Sequence, residues 1–179
     1  YADYVRSELD KHGFRSTESI LNEWNPGTFR RGTEADACYI SEMILKLHRK
    51  PLDMLMYYDG QINGSYCGLF DPVNLDIFPA YYAIHSFGEL YALRSEVKTV
   101  SSGEMPVLAA TNGKIGKILI VNVGTEAVSL DLKLSDNWKM TAYRELDEIN
   151  GLVAKDEFDL NKLAVSPMKI AIIECEIQK

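Results

Sequence analysis

The sequence has few of the residue types that build metal centres and disulfide frameworks. Its 179 residues include only three cysteines and three histidines. The cysteines lie far apart without a Cys-x-x-Cys pair, and the histidines do not occur four positions apart, so the pattern favours neither a zinc site nor a disulfide framework. We expect buried thiols and no bound metal ion. These residues are Cys38, Cys67, Cys175, His12, His48 and His85.

An excess of positive charge is also missing. The chain has 19 Lys and Arg against 26 Asp and Glu, a net charge of −7, so we expect no nucleic-acid partner. Its apolar runs are far shorter than the roughly 20 residues of a membrane-spanning helix, so we expect no membrane partner either. The first residues, Tyr1-Ala2-Asp3-Tyr4, contain neither an initiator methionine nor the start of a signal peptide. We therefore expect a fragment or a processed product, and the compartment stays unknown.

The first half of the sequence alternates between helix and strand patterns. We predict helices over about residues 4–11, 33–48 and 79–93, and strands around residues 20–21 and 52–59. A strand, a helix and a strand joined by short links are typical of a right-handed parallel βαβ unit.

The second predicted helix carries two local signals. Thr33 followed by Asp36 resembles a capping box, in which each residue caps the other at a helix start. Ala37, Ile40 and Ile44 then recur at helical spacing and define its apolar face.

Beyond Arg94 the pattern changes to short β-like runs separated by turn residues. Alternation between apolar and polar positions predicts strands with one face in a core and one in water. Because no helical period interrupts them, we predict an antiparallel β-sandwich over residues 95–179, after an α/β domain over residues 1–94. The predicted runs are residues 97–100, 107–111, 117–123, 128–134, 139–144, 153–160 and 169–177.

Glu23 is the strongest candidate for chemistry. It ends a short apolar run and is flanked by Asn22, Trp24 and Asn25. A carboxylate at a strand end beside amides and an indole suits an enzyme that acts on sugars, because the amides can bind hydroxyl groups and the indole can face the C–H side of the ring. The alternative is an acid that caps a loop or pairs with a neighbouring arginine.

A second group of polar and aromatic residues follows the next strand. Tyr57, Tyr58 and Asp59 end it, so in a parallel sheet they lie on the same rim as Glu23. A tyrosine there could donate a hydrogen bond to the nucleophile and hold it ionised. A long loop then carries Tyr66, Phe70 and Asp71, which could shape a sugar pocket. Packing at a sheet edge or on the surface is the alternative for each.

The residues around Glu23 belong to a longer pattern. Residues 5–14, followed by Leu21-Asn22-Glu23-Trp24-Asn25, resemble the family 39 glycoside hydrolases, β-xylosidase-like enzymes of the retaining (β/α)8-barrel clan. Residues 68–71 and 78–83 resemble the segment after strand eight and the start of the final barrel helix. The resemblance implies that Glu23 is the catalytic nucleophile on strand seven. Substrate contacts would come from the neighbouring rim: Asn22, Trp24, Asn25, Tyr58 and Phe70.

The same resemblance implies an incomplete barrel. The chain would hold the last two βα units of a (β/α)8 barrel and then the family's C-terminal β-sandwich. The acid/base glutamate of this clan follows an asparagine on strand four, which would lie before Tyr1. We therefore expect four features: a saccharide substrate, no cofactor, a missing N-terminal barrel partner, and a truncated chain that self-associates or docks its barrel part on its own sandwich.

A different class of function stays open from the sequence. The chain could be a non-catalytic β-sandwich module for carbohydrate binding or interdomain packing, with the helical part as scaffold. A relative that has lost activity is a third alternative. Glu23 discriminates between the first two, because only the glycosidase hypothesis requires its carboxylate to form a covalent bond with the substrate.

Overall fold

The computed structural model describes residues 1–62, 68–101, 103–135, 137–147, 149–155 and 163–178. The described chain has three α-helices: α1 (Ala2–Lys11), α2 (Glu34–Leu47) and α3 (Pro79–Tyr91). Its ten strands are β1 (Ile20–Trp24), β2 (Met54–Tyr57), β3 (Ser95–Val97), β4 (Val107–Thr111), β5 (Ile115–Asn122), β6 (Val128–Ser129), β7 (Trp138–Asp147), β8 (Gly151–Ala154), β9 (Ala164–Val165) and β10 (Lys169–Ile177).

The first half forms the predicted parallel unit. Strands β1 and β2 pair in parallel, with α2 between them in sequence. The Thr33 hydroxyl caps α2 by accepting a hydrogen bond from the Asp36 backbone amide at 3.3 Å. The reciprocal half of the predicted capping box is not formed, because the Thr33 amide donates to the Arg30 carbonyl instead. Helix α3 begins at Pro79. At this first helical position a backbone N–H would have no partner within the helix, so proline removes no helical hydrogen bond.

The second half is built on one antiparallel sheet. Six strands lie in the order β3-β4-β5-β10-β7-β8, and a separate pair joins β6 to β9. Strands β5 and β10 are the centre of the sheet and pair over eight residues. Their apolar side chains point to both faces, and both faces are covered.

Two hydrophobic cores lie on opposite faces of this sheet. The first joins helices α2 and α3 to the sheet, with Ile40, Leu90, Leu119 and Ile172 nearly or fully buried. The second lies under the β6–β9 pair and centres on Val165 with neighbouring apolar side chains. The layers are therefore helices, a six-stranded sheet and a small two-stranded sheet.

The predicted strands agree with the structure at the centre of the sheet and differ at its margins. Residues 107–111 and 169–177 are strands as predicted, and residues 117–123 correspond to β5 with a shift at each end. The run over residues 128–134 is strand only at Val128–Ser129. Beyond it the Leu130 amide still donates to the Leu163 carbonyl at 2.8 Å, and the following leucines pack on the second core. Strand β9 was not predicted. Residues 156–160 lie outside the described residues.

The mostly antiparallel architecture agrees with the predicted β-sandwich half. The (β/α)8 barrel and the boundary between residues 94 and 95 stay predictions. Helices α2 and α3 share one core with the β-sheet, so the two predicted halves are in close contact. No helix of the described residues is both long and apolar enough to cross a membrane.

Candidate active site at the ends of two parallel strands

Asn22 and Glu23 lie where the pairing of β1 with β2 shifts. Leu21 is opposite Leu55 and Trp24 is opposite Tyr57. Three steps along β1 therefore match two steps along β2, as in a β-bulge with one extra residue. Bulges occur often beside active sites, where they redirect side chains. Here both Asn22 and Glu23 are exposed to solvent at the carboxyl end of a parallel strand.

The carboxylate of Glu23 has no partner within the described part of the chain. No hydrogen bond or ion pair joins it to another described residue. Arg30, one of the two neighbouring arginines, lies over the rings of Phe29 and Tyr39. The group is open to a ligand that approaches the strand end.

Asn25 ties the ends of the two strands together. Its side-chain amide donates to the carbonyl of Tyr58 at 2.9 Å, and its side-chain oxygen accepts from the Gly27 backbone amide at 2.9 Å. The peptide bond after Tyr58 is cis. Because both ends of the Asn25 side chain are engaged, this residue fixes the loop after Glu23 instead of presenting a loose amide.

Trp24 lies beneath the rim. It is 8 % exposed and belongs to the first hydrophobic core. Its ring meets that of Tyr57 edge to face, with centroids 5.5 Å apart. Asp59 is also buried, whereas Tyr58 is 37 % exposed. Of the three rim residues predicted after β2, Tyr58 is therefore the one that solvent reaches most easily.

The loop before α3 forms the next part of the rim. Phe70 is partly buried, packs on Tyr81 with ring centroids 5.7 Å apart and bridges to Ile77. The Asp71 side chain accepts hydrogen bonds from the amides of Val73 and Asn74, and these bonds hold the pKa of its carboxyl below the usual value. Tyr66 lies outside the described residues.

The loops after β1 and β2 contact each other. The Arg31 guanidinium lies over the Phe78 ring, 5.4 Å from its centroid. Gly32 has a φ of 73°, and a Cβ there would come within 3.3 Å of the same ring. The contact therefore depends on a glycine, and it connects the loop that follows Glu23 to the one that carries Phe70.

Asp36 is a titratable residue whose spacing from Thr33 in the sequence predicts only a helix cap. Its side chain is fully buried at the start of α2, and its oxygens accept no hydrogen bond from the described residues. Burial raises the pKa of this carboxyl to about 7, although the charge of Arg30 acts in the opposite direction. The sequence does contain a signal for a buried acid, because this aspartate lies among the apolar positions of the predicted helix. Whether the carboxyl is buried still depends on tertiary packing.

A metal site has no candidate ligand set in the described part of the chain. No group of three or more His, Cys, Asp or Glu lies close enough there to hold an ion. Cys38 and Cys175 are buried free thiols, and burial raises the pKa of Cys175 to about 11. Cys67 lies outside the described residues.

Comparison with known proteins shows similarity of structure without similarity of sequence. The sequence matches no protein-family model and no curated protein. The fold is similar to a glucosidase from Croceicoccus marinus, with a TM-score of 0.75 and 15 % identity over 99 % of this chain and 50 % of that chain. A monomeric β-xylosidase from Caulobacter crescentus gives a TM-score of 0.70 and 12 % identity over 99 % and 49 % of the two chains.

A GH30 endoxylanase from Clostridium papyrosolvens is also similar, with a TM-score of 0.66 and 15 % identity over 98 % of this chain and 46 % of that chain. The chain thus spans about half the length of these solved structures. At such low identity the likeness concerns the fold, and it does not single out family 39. The chain has a glycoside-hydrolase-like fold.

Proposed function

We propose that the chain is the C-terminal part of a retaining, β-xylosidase-like glycoside hydrolase, in which Glu23 is the nucleophile. Strands β1 and β2 would be the last two strands of a (β/α)8 barrel, and the antiparallel sheets would form its C-terminal sandwich. The observation that carries the proposal is Glu23 itself. It is an exposed carboxylate, unpaired among the residues that the structure describes, in a register shift at the carboxyl end of a parallel strand, where enzymes of this architecture keep their catalytic groups.

The chemistry proposed is a double displacement. Glu23 attacks the anomeric carbon while a second carboxylic acid protonates the leaving oxygen, which gives a covalent glycosyl-enzyme. Water then attacks the anomeric carbon, the second carboxylate takes its proton, and the bond between that carbon and Glu23 breaks, so the sugar is released with its original configuration and Glu23 is again a carboxylate. Two carboxylates and water suffice, so the mechanism needs no cofactor.

The second carboxylate would come from another part of the protein. An Asn-Glu pair occurs once in the chain, at Asn22-Glu23, and that pair is already used for the nucleophile. In a retaining enzyme the two carboxyl groups stand about 5 Å apart. We therefore propose that an N-terminal barrel segment supplies the acid/base, and that the 179 residues alone are inactive.

The neighbouring residues would have different roles. Asn22 and Tyr58 are exposed beside Glu23 and are proposed to bind the sugar, and Phe70 would line the pocket from the adjacent loop. Asn25 is proposed to position the loop after Glu23 through its bond to Tyr58. Trp24 is the weakest of the proposed contacts, because its indole lies in the core.

The experiment is a rescue of the Glu23→Ala variant in the full-length protein that carries this chain. Without its nucleophile, the enzyme should lose at least about a thousandfold of its rate on an aryl β-xyloside. Azide should restore turnover, because it fits the space left by the carboxylate and attacks the same carbon. The product of rescue should be a glycosyl azide of inverted configuration.

Glu18→Ala is the matched control, since Glu18 is exposed just before the same strand. It should keep the wild-type rate and give no azide product. If Glu23→Ala keeps the wild-type rate, Glu23 is not the nucleophile. If the wild-type protein retains xylo-oligosaccharides without hydrolysing them, and Glu23→Ala retains them equally, the carbohydrate-binding module is the better assignment.

A further inference from the structure

Phe70, the proposed wall of the sugar pocket, belongs to a loop that is closed on itself. The Phe78 amide donates to the Leu69 carbonyl at 3.0 Å, and Phe70 forms a β-bridge with Ile77. Residues 69–78 are therefore held together by their own backbone bonds. The position of the Phe70 ring then depends on the groups that pack against this loop.

The ring of Tyr81 packs on Phe70 from the first turn of α3. The two ring centroids are 5.7 Å apart, and the ring planes are inclined by 50°. Tyr81 is half-buried. Aromatic pairs in such tilted arrangements contribute more to stability than the area they bury, so Tyr81 is a specific support for Phe70.

Two further rings fix Tyr81 itself. Tyr82 meets it edge to face, with centroids 5.5 Å apart. His85 stacks on it with centroids 5.7 Å apart and ring planes inclined by 29°, because residues four positions apart lie on the same face of a helix. The Tyr81 ring therefore loses two ring contacts of its own if it turns away from Phe70.

Both of these neighbours contact the antiparallel half of the chain. Tyr82 lies against the β7–β8 hairpin, where a Cβ on Gly151 would overlap its ring. His85 Nδ1 is 3.2 Å from a carboxylate oxygen of Glu89, which accepts two hydrogen bonds from Arg144 on β7. Continuous contacts thus run from the six-stranded sheet through α3 to the loop before it.

We infer that Tyr81 is a positioning residue of the proposed site: it holds the Phe70 ring in place and connects this wall of the sugar pocket to the antiparallel sheet. The β-sandwich half then contributes to substrate binding without touching the substrate. This inference rests on the proposed function, because Phe70 is a proposed sugar contact. It goes beyond that function by assigning a role to Tyr81 and to the sheet behind it.

The test measures KM and kcat of the full-length protein on an aryl β-xyloside. Tyr81→Leu should raise KM about fivefold and leave kcat within about twofold, because it loosens a binding wall and leaves the reacting groups in place. Tyr81→Phe keeps the ring and should have the wild-type KM. Tyr91→Leu is the matched control: Tyr91 is 65 % exposed at the end of the same helix, and its substitution should change neither constant.

A double-mutant cycle separates positioning from a loss of stability. Partial unfolding lowers the amount of active enzyme, and therefore kcat, but it does not change KM. Phe70→Ala removes the wall itself, so Tyr81→Leu should add almost nothing to KM in that background. If the two increases multiply instead, Tyr81 does not act through Phe70 and the inference is wrong. If Tyr81→Leu does not fold, Tyr81→Met, which also lacks a ring, takes its place in the cycle.

Tyr82→Leu tests the connection to the antiparallel half. It should raise KM in the same direction as Tyr81→Leu, and the two increases should not multiply. A wild-type KM in Tyr82→Leu would overturn this connection.

The positioning role and the nucleophile assignment fail separately. If Glu23→Ala loses its rate as proposed while Tyr81→Leu keeps the wild-type KM, only the positioning role is wrong. If Glu23→Ala keeps the wild-type rate while Tyr81→Leu raises KM through Phe70, the pocket wall is right and the nucleophile is wrong. The same cycle can be measured as the Kd for a xylo-oligosaccharide, so it does not depend on turnover.

Discussion

The side-chain amide of Asn25 donates a hydrogen bond to the backbone carbonyl of Tyr58 at 2.9 Å, and this bond joins the carboxyl ends of the two parallel strands. The same side chain accepts from the Gly27 amide. The position of the loop after Glu23 therefore depends on one asparagine.

Asn25→Ala should lower both stability and activity. Two hydrogen bonds are lost, which costs about 1–2 kcal/mol of the free energy of unfolding, and the strand end that carries Glu23 is released. Chemical unfolding and the rate on an aryl β-xyloside measure the two effects. Asn112→Ala is the control, because the Asn112 side chain likewise makes two hydrogen bonds to the backbone, here by accepting from the Lys114 and Ile115 amides in the turn between β4 and β5. It should lose similar stability and keep the rate; equal losses of rate would contradict a positioning role for Asn25.

Asp36→Asn should stabilise the chain at neutral and alkaline pH. Burial raises the folded-state pKa of Asp36 to about 7 from its ordinary value of 3.8. The folded state therefore binds the proton more tightly, so this group reduces stability progressively as pH rises from about 4 to about 7, and by a constant amount above that. The gain in Asp36→Asn should reach about 2–4 kcal/mol at pH 8 and fall towards zero near pH 4. A gain that is independent of pH would mean that Asp36 is not the titrating group.

Glu89→Gln should weaken the contact between α3 and the sheet. Glu89 accepts from Arg144 at 2.6 Å and 3.1 Å and pairs with Lys117, while Arg144 also pairs with Glu174 at 2.8 Å. Burial alone would raise the pKa of Glu89, but the hydrogen bonds and charges of Arg144 and Lys117 lower it to about 2.

Because that folded-state pKa is depressed, the stability from Glu89 is present above about pH 4.5 and is lost as pH falls towards 2. Glu89→Gln should cost about 2–3 kcal/mol at pH 7 and much less at pH 3, measured by urea unfolding. Glu8→Gln breaks an exposed pair with Lys11 and should cost under about 0.5 kcal/mol. If Glu89→Gln costs as little stability as Glu8→Gln, the ion pairs of Glu89 do not hold α3 on the sheet.

Gly151→Ala should be strongly destabilising. Gly151 has a φ of 75°, and a Cβ there would lie 2.3 Å from the Tyr82 ring on α3. Gly113 has a φ of 86° with nothing within 4 Å of the same position, so Gly113→Ala isolates the backbone strain, about 1–2 kcal/mol. The loss of stability in Gly151→Ala should exceed that in Gly113→Ala by at least about 1 kcal/mol. Adding Tyr82→Ala to the Gly151→Ala chain should remove part of that difference. Equal effects of the two alanines would contradict close packing of Tyr82 on the hairpin.

The elements could be predicted from sequence where the signal is local. Pro79 at the start of α3, the helical spacing of Ile40 and Ile44, and the alternation in β10 each reflect one segment's own periodicity. The extra residue at Asn22–Glu23 could not be predicted, because a register shift is a property of two strands together. Strand β9 was missed for a similar reason, since two residues carry no period.

The sequence predicts where the candidate residues lie along the strands better than it predicts the direction of their side chains. Glu23 was expected at a strand end, and it is there and exposed. Trp24 lies in the core beside the ring of Tyr57, and its predicted contact with a sugar stays a proposal. The buried carboxyl of Asp36 looked like an ordinary helix cap, and only the packing of α2 reveals it.

The most direct measurement is to identify the residue that a mechanism-based inactivator labels. The full-length protein that carries this chain is treated with a 2-fluoro-β-xyloside that has a good leaving group, digested, and its peptides are sequenced by mass spectrometry. We expect one glycosyl unit, attached as an ester to Glu23. A label on any other carboxylate, or time-dependent inactivation that persists in the Glu23→Gln variant, would show that Glu23 is not the nucleophile.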